Sequence, residues 1–417
     1  MAKPRALVIG GSIGGLFAAN ALHKIGWDVT VFERAENDLA SRGAGIGTHG
    51  ELVQVLNRLG IPIDETLGLE IRTRICLDRG GRVIHELELP QRQSSWARIY
   101  RLLKDAFPSE QYRFGMNLAS IAQDAASVTA LFADGSRATG DLLVAADGVR
   151  SIVRELFLPG IQPRYAGYIA WRGMLEERDI PPAAHAQFFE RYTMCLPEGE
   201  LMLAYPVPGR NGEVHPGHRG YNHIWYRPTD ERETLPLLCT DASGHCHGTS
   251  IPPPLIRPAL VEEIKAIART VLAPQIAAIM ERTRQMFFQA IFDVESPQLA
   301  LGRVVLLGDA AFVARPHAGM GVTKAAFDAL CLADAITAAE GDLGAALARY
   351  DRERSYFGRG LVARARRLGA YLEAQTGPPA ERAKLAHQHR PEVAMREIGP
   401  AALNLSELSY REPGAPA

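Results

Sequence analysis

The sequence predicts an α/β fold: a parallel sheet covered by helices, a second lobe on a mixed β-sheet, and helices towards the C-terminal end. Three observations predict it. Apolar runs at Arg5–Ile9, Val29–Phe32, Asp141–Ala146 and Arg303–Leu307 read as buried parallel strands. The first enters a glycine turn, Gly10-Gly11-Ser12-Ile13-Gly14-Gly15, and then a helical pattern to Lys24, so strand, turn, helix and strand form one βαβ unit. From about Tyr165 to Asp293 the chain changes to Tyr, Trp, Phe and Pro with short β-like runs such as Leu201–Val207 and Tyr221–Tyr226.

The remaining elements follow in order. Glu51–Leu59 is a helix stopped by Gly60 and Pro62. Leu69–Leu89 alternates around Arg79-Gly80-Gly81, a hairpin signal. Trp96–Phe107 is helical up to Pro108, and Val128–Phe132 turns back at Ala133-Asp134-Gly135. Leu235–Pro258 reads as loop, and Val261–Ile279 as one helix. Gly321–Ala339 and Leu343–Leu368 are long helices, and the proline-rich stretch from Gly377 reads as a loosely packed tail or a clasp on a neighbour. At roughly 150 residues per domain, 417 residues make two or three domains. The division expected is 1–164 for a cofactor domain, with part of the second lobe interleaved near 69–95. Residues 165–293 form the substrate lobe, 294–372 return to the cofactor domain, and 373–417 are the tail.

Lys plus Arg number 46 and Asp plus Glu 47, a formal net charge of −1. That balance speaks against broad phosphate neutralisation on nucleic acid and against a polybasic membrane surface. Five scattered cysteines make no disulfide framework. No stretch has the roughly 18 apolar residues of a membrane span, and MAKPRALVIGG lacks a signal-peptide pattern. The location expected is cytoplasmic. His245-Cys246-His247 beside Cys239 matches no zinc spacing, so no metal is expected.

The glycine turn carries chemistry. Gly10 makes the tight turn, Gly15 lets the helix pack on the strand, and amides at the helix start face a pyrophosphate, the Rossmann-like arrangement. Glu33 ends the second strand, where a carboxylate accepts ribose hydroxyls. Ser12 replaces the middle glycine of the usual pattern.

Two later motifs extend this reading: Ala146-Asp147-Gly148 after a strand, and Gly302-Arg303 through Gly308-Asp309-Ala310-Ala311 followed by Pro316-His317-Ala318-Gly319-Met320-Gly321. With the glycine turn, they resemble the single-component (group A) FAD-dependent aromatic hydroxylases of the para-hydroxybenzoate hydroxylase type. The resemblance covers about residues 5 to 370 and implies a glutathione reductase type FAD-binding domain. It implies FAD as cofactor, reduced by NAD(P)H with NADH favoured. Oxygen then passes from O2 to the ring through a C4a-hydroperoxyflavin. It places FAD on Gly10, Ser12, Ile13, Gly14, Gly15, Glu33 and Arg34, on Arg42, Gly45, Ile46 and Arg98, on Asp147 and Asp309, and on Gly319, Gly321 and Val322. Asp309 would bind a ribityl hydroxyl, and the helix from Gly321 would point its positive end at the reduced flavin. The usual Gly-Gln-Gly-x-Asn is here Gly319-Met320-Gly321-Val322-Thr323, which marks a distinct subgroup.

Pro163–Gly173, Leu203–Arg210 and Arg315-Pro316-His317-Ala318 are similar to the hydroxypyridine branch of that family. The substrate implied is 2,6-dihydroxypyridine, giving 2,3,6-trihydroxypyridine. Urate, a hydroxybenzoate, or flavin-dependent reduction or dehydrogenation without oxygen insertion are the alternatives. Such chemistry needs a polar group near a ring hydroxyl and exclusion of water. His317 is the first candidate for proton handling or substrate hydrogen bonding. Tyr205 is expected at the pocket floor and Arg172 at a ring oxyanion, with Tyr192, Trp225 and Tyr226 as weaker candidates. A small aromatic substrate, O2 and a second copy in a homodimer are the partners implied, with no nucleic acid and no membrane.

Overall fold

The computed structural model of the protein describes residues 3–40, 45–399 and 408. Its first sheet has six strands in the order Ala300–Leu301, Val304–Leu306, Leu142–Ala145, Arg5–Ile9, Asp28–Phe32 and Tyr112–Arg113. All pairs are parallel except the outermost one at Ala300–Leu301. The central strands are largely apolar because they are covered by the helices Ile13–Lys24 and Gly321–Ala338 and by a three-stranded antiparallel sheet of Leu118–Gln123, Val128–Phe132 and Arg137–Gly140, whose Phe132 ring lies 4.7 Å from that of Phe32. Ile13–Lys24 and Gly321–Ala338 pack together over the sheet.

The second sheet has nine strands. In order they are Phe312–Val313, Phe287–Glu295, Arg164–Glu176, Gly220–Pro228, Leu201–Val207, Tyr192–Cys195, Leu69–Leu77, Val83–Ser95 and Gly45–Thr48. Chain segments from both sides of the parallel sheet thus build one surface. The period of two divides its side chains cleanly. Tyr168, Leu203, Tyr205, Ile224 and Tyr226 share one face. Trp171, Met202, Ala204, Tyr221 and Trp225 share the other, beneath the helices Pro182–Phe188, Pro258–Val271 and Pro274–Arg282.

Two elements differ from the sequence expectation. The single helix over Val261–Ile279 is two, because Pro274 cannot donate to the preceding turn and instead begins a new helix. The tail is packed as far as Gly399. Its helices Pro379–Leu385 and Pro391–Glu397 lead Ala394, Met395 and Ile398 onto the Tyr205 face of the second sheet. Arg74, fully buried, donates to the Met395 and Ile398 carbonyls at 2.8 and 2.5 Å, a cation at a helix C-terminus. Gly399 N then donates to the His317 carbonyl at 2.7 Å. Among the described residues no helix is long and apolar enough to cross a membrane.

Candidate active site

The strand register brings the sequence motifs to one edge. Ile9 lies beside Ala145 and Phe32, and Ala145 beside Leu306. The chain leaves these four strand ends as the glycine turn, Asp147-Gly148, Glu33 and Gly308-Asp309. Motifs spread over three hundred residues therefore meet at the carboxyl edge, where open parallel sheets bind ligands.

Two glycines of the turn are required by sterics. Gly10 has φ +99°, and a Cβ there would collide with the Ala146 carbonyl. A Cβ on Gly15 would overlap the Gly10 carbonyl oxygen, so only glycine lets the helix start against the strand. Ser12 stands at the helix N-cap but makes no side-chain cap bond, and Ile13 opens the helix. Glu33 is buried and anchored: its Oε2 accepts Gly11 N at 2.8 Å, and its Oε1 accepts Ala35 N at 2.8 Å. Each oxygen keeps a lone pair for a further donor. Arg34 is exposed beside it.

Asp147 accepts Ile152 N at 2.8 Å through Oδ2, while its Oδ1 is buried without a partner. Burial pushes its carboxyl pKa up. Asp309 is about half exposed and faces Lys324 Nζ at 3.7 Å. Gly319 has φ +66° and Gly321 begins the helix Gly321–Ala338, with Val322 half-buried behind it. Met320 and Thr323, the residues that depart from the usual motif, both point inward. Met320 joins an apolar cluster, and Thr323 Oγ1 lies 3.1 Å from His49 Nδ1. Arg98 donates to Asp64 at 3.2 Å, while its Nε is buried without a partner. Arg42 lies outside the described residues.

A second cluster forms where Gly45–Thr48 meets the nine-stranded sheet. Gly45 N donates to Asn222 Oδ1 at 3.0 Å, and Ile46 pairs with Ser94 alongside. A Cβ on Gly45 would sit 2.8 Å from the Tyr205 ring. Arg172 donates to Gln289 Oε1 at 2.7 Å and reaches the Gly45 carbonyl at 3.5 Å. Tyr205 stacks on Tyr192 with centroids 5.0 Å apart. His317 is buried between two tyrosines: its Nε2 lies 2.8 Å from Tyr168 OH, and its ring centroid is 4.5 Å from that of Tyr226. Burial, reinforced by the Arg315 charge, holds its pKa down to about 3. The imidazole is therefore neutral at physiological pH. Trp225 lies on the opposite face of the sheet, where its Nε1 donates to Glu200.

Three polar atoms of this cluster are buried with no partner: Arg172 Nε, Asn222 Nδ2 and His317 Nδ1. Leaving such a group unpaired costs about 1–3 kcal/mol. Asn222 escaped the sequence reading, although its period-two spacing from Tyr226 was available as a signal. Among the described residues no three His, Cys, Asp or Glu side chains form a metal-binding group, and the five cysteines are free thiols.

These features fit an extended dinucleotide on this chain's residues: a glycine cradle without room for side chains, anchored acids with spare lone pairs, and an orphaned buried oxygen on Asp147. Family models agree. One described as an FAD binding domain-like family matches residues 165–293, and one described as an FAD binding domain matches 260–365. The 2,6-dihydroxypyridine 3-monooxygenase of Paenarthrobacter nicotinovorans is 31% identical over 373 residues, 88% of this chain and 91% of that protein. The chain belongs to the group A FAD-dependent aromatic hydroxylases.

The hydroxylase fold is shared in detail. The structure of 2,6-dihydroxypyridine-3-hydroxylase from Arthrobacter nicotinovorans superposes with a TM-score of 0.84 at 29% identity, covering 90% of this chain and 94% of that one. Klebsiella pneumoniae HpxO, solved with FAD and uric acid, has a TM-score of 0.72 at 26% identity, covering 94% of this chain and 93% of its own. This hydroxylase is accordingly an FAD-dependent monooxygenase, and its relatives act on small aromatic rings.

Proposed function

We propose that the protein hydroxylates an electron-rich N-heteroaromatic ring bearing ring oxygens, with 2,6-dihydroxypyridine, converted to 2,3,6-trihydroxypyridine, as the first candidate and NAD(P)H, NADH favoured, as reductant. One observation carries the reading. Arg172 Nε, Asn222 Nδ2 and His317 Nδ1 are unpaired polar atoms in one tyrosine-lined cluster beside Gly45. A ring with oxygens and a nitrogen along its rim supplies partners for all three.

Bound FAD would take hydride from the nicotinamide and, with O2, supply the oxygen that enters the ring. The protein's residues do the rest. The Arg172 guanidinium stabilises the oxyanion left when a ring hydroxyl loses its proton, which directs electron density to the neighbouring carbon. The Asn222 amide, fixed by its bond to Gly45 N, donates to a second ring oxygen. Neutral His317 hydrogen-bonds the ring, and the Tyr168 hydroxyl 2.8 Å from Nε2 holds the imidazole in place. Tyr192, Tyr205 and Tyr226 supply flat apolar surface and keep water out. The cofactor roles proposed for Gly10 to Gly15, Glu33, Asp147, Asp309 and Gly319 to Val322 rest on their meeting at the carboxyl edge. The domain division and the homodimer are proposed with them.

The names of the relatives support hydroxypyridines and keep urate in view as a second N-heteroaromatic ring. A screen of hydroxypyridines, urate and hydroxybenzoates tests the choice by substrate-stimulated NADH oxidation coupled to product mass. The proposal predicts coupled oxygenation of 2,6-dihydroxypyridine. Coupled turnover of hydroxybenzoates alone would refute the N-heteroaromatic assignment, and product made without O2 would point to a reductase.

A further inference from the structure

The segment Pro391–Gly399 runs into the ring cluster. Its helix Pro391–Glu397 lies over the strands Leu69–Leu77 and Val83–Ser95. Met395 and Ile398 are buried in the same cluster as Tyr192, Leu203, Tyr205 and Tyr226. Two anchors hold the end of the segment. Arg74 donates to the Met395 and Ile398 carbonyls from Nη1 and to Gln91 Oε1 from Nη2, at 2.8, 2.5 and 2.7 Å. Gly399 N donates to the His317 carbonyl at 2.7 Å.

These anchors stand on either side of Tyr205. Its strand Leu201–Val207 lies between Tyr192–Cys195 and Gly220–Pro228. On the first side the Arg74 guanidinium sits over Tyr192, 4.7 Å from the ring centroid. On the second the His317 ring packs against Tyr226. Ile398-Gly399 therefore crosses the face that carries Leu203 and Tyr205. Gly399 has φ +93°, and a Cβ there would lie 3.1 Å from Arg74 Nη2 and 3.9 Å from Tyr192 OH, so the backbone is held closely at this point.

Packing alone gives no reason for an arginine here. Arg74 is fully buried, its hydrogen-bond partners are three uncharged oxygens, and its Nε has none. A cation buried on those terms is costly, and a methionine or leucine would join this apolar face with less penalty. What the guanidinium adds is position: rigid, planar donors fix two carbonyls at the end of the helix, and with them the path of Ile398-Gly399.

We infer that Ile398-Gly399 is the wall that closes the ring site on its Tyr192 side, and that Arg74 is the positioning residue that holds this wall shut. The inference deepens the N-heteroaromatic reading and rests on it. With the wall in place, the ring stays among Arg172, Asn222 and His317, and water is kept out. With the wall displaced, water enters, and NADH, a proton and O2 give NAD+ and H2O2 without a ring product.

The test uses the FAD-loaded full chain with 2,6-dihydroxypyridine as the probe. In the wild type the probe is expected to slow hydrogen–deuterium exchange in peptides covering 391–399. Arg74→Met is expected to leave the wall shut in about a tenth of molecules, which raises the probe's Kd, read from the flavin absorbance change, about tenfold. Peroxide formed per NADH should rise with it, at unchanged flavin content. Gly399→Ala strains the backbone without removing a buried charge, so it keeps the test open if the arginine variant does not fold. It should shift Kd and peroxide yield in the same direction. A lowered Tm with wild-type Kd and peroxide yield would make the segment a brace alone and overturn the inference, as would exchange that the probe leaves unchanged. If the wild type bound no hydroxypyridine, urate or hydroxybenzoate, the ring reading itself would fall and take the inference with it.

Discussion

At the scale of single residues, burial changes what side chains can do. A histidine read from sequence carries an ordinary pKa near 6.5 and suits either proton state. The position of His317 between Tyr168 and Tyr226 removes that freedom and leaves a neutral hydrogen-bonding ring. Its folded pKa of about 3 lies below the unfolded value, so its contribution to stability is present above about pH 6.5 and is lost as pH falls towards 3. Between those limits His317→Gln should flatten the dependence of unfolding free energy on pH by up to about 1.4 kcal/mol per pH unit. Urea titrations at several pH values check this, and parallel slopes would contradict it. Arg172 acts on substrate rather than on cofactor in our reading. Arg172→Met is expected to lower kcat/KM about ten- to a hundredfold, the loss of a charged hydrogen bond, with FAD content unchanged. Loss of flavin from that variant would put Arg172 in the wrong role.

At the scale of elements, the legible parts were those with local causes. The strand Arg5–Ile9, the glycine turn and the helix after it follow from adjacent residues. So do the glycine-stopped helix to Leu59 and the long helix from Gly321. Less legible were features set by distant packing. The Tyr205 face takes its meaning from Gly45, Arg172 and Asn222, which come from three different strands. The tail read as loose because its prolines are local signals, whereas the Arg74 side chain that receives it lies more than three hundred residues earlier. Two variants probe this scale. Gly15→Val should push the helix off the strand and cost about 3 kcal/mol or more, seen as loss of soluble protein or a lowered Tm. Truncation before Pro391 should uncover Met395's partners on the Tyr205 face and leave the Arg74 cation without its carbonyls. The expected readout is a lower Tm, and an unchanged Tm would show that the segment does not brace the sheet.

At the scale of the whole molecule, one buried ionic group joins the pieces. Arg315, just ahead of His317, pairs with Asp293 at 2.8 Å, and both side chains are fully buried. Glu373 at the end of the helix Leu343–Glu373 bonds the same guanidinium at 2.7 Å, and Arg366 of that helix reaches Asp293 at 3.1 Å. The second sheet, the loop before the Gly321 helix and the long C-terminal helix are thus held to one another by charge. Asp293→Asn leaves the buried Arg315 with Glu373 as its one carboxylate partner and should cost about 3 kcal/mol of stability by equilibrium denaturation. The family and the motifs that meet at the carboxyl edge were readable because their order and spacing survive as sequence. The ring end was only partly readable, because it is assembled from single side chains whose neighbours exist only after folding.

The central claim is that this scaffold directs an oxygen atom from O2 onto an N-heteroaromatic ring. The most direct test is turnover of 2,6-dihydroxypyridine by the FAD-loaded protein with NADH under oxygen-18 gas, read by product mass. The account predicts a trihydroxypyridine carrying one heavy oxygen from the gas. A product whose new oxygen comes from water, or turnover that continues under strict anaerobiosis, would contradict it.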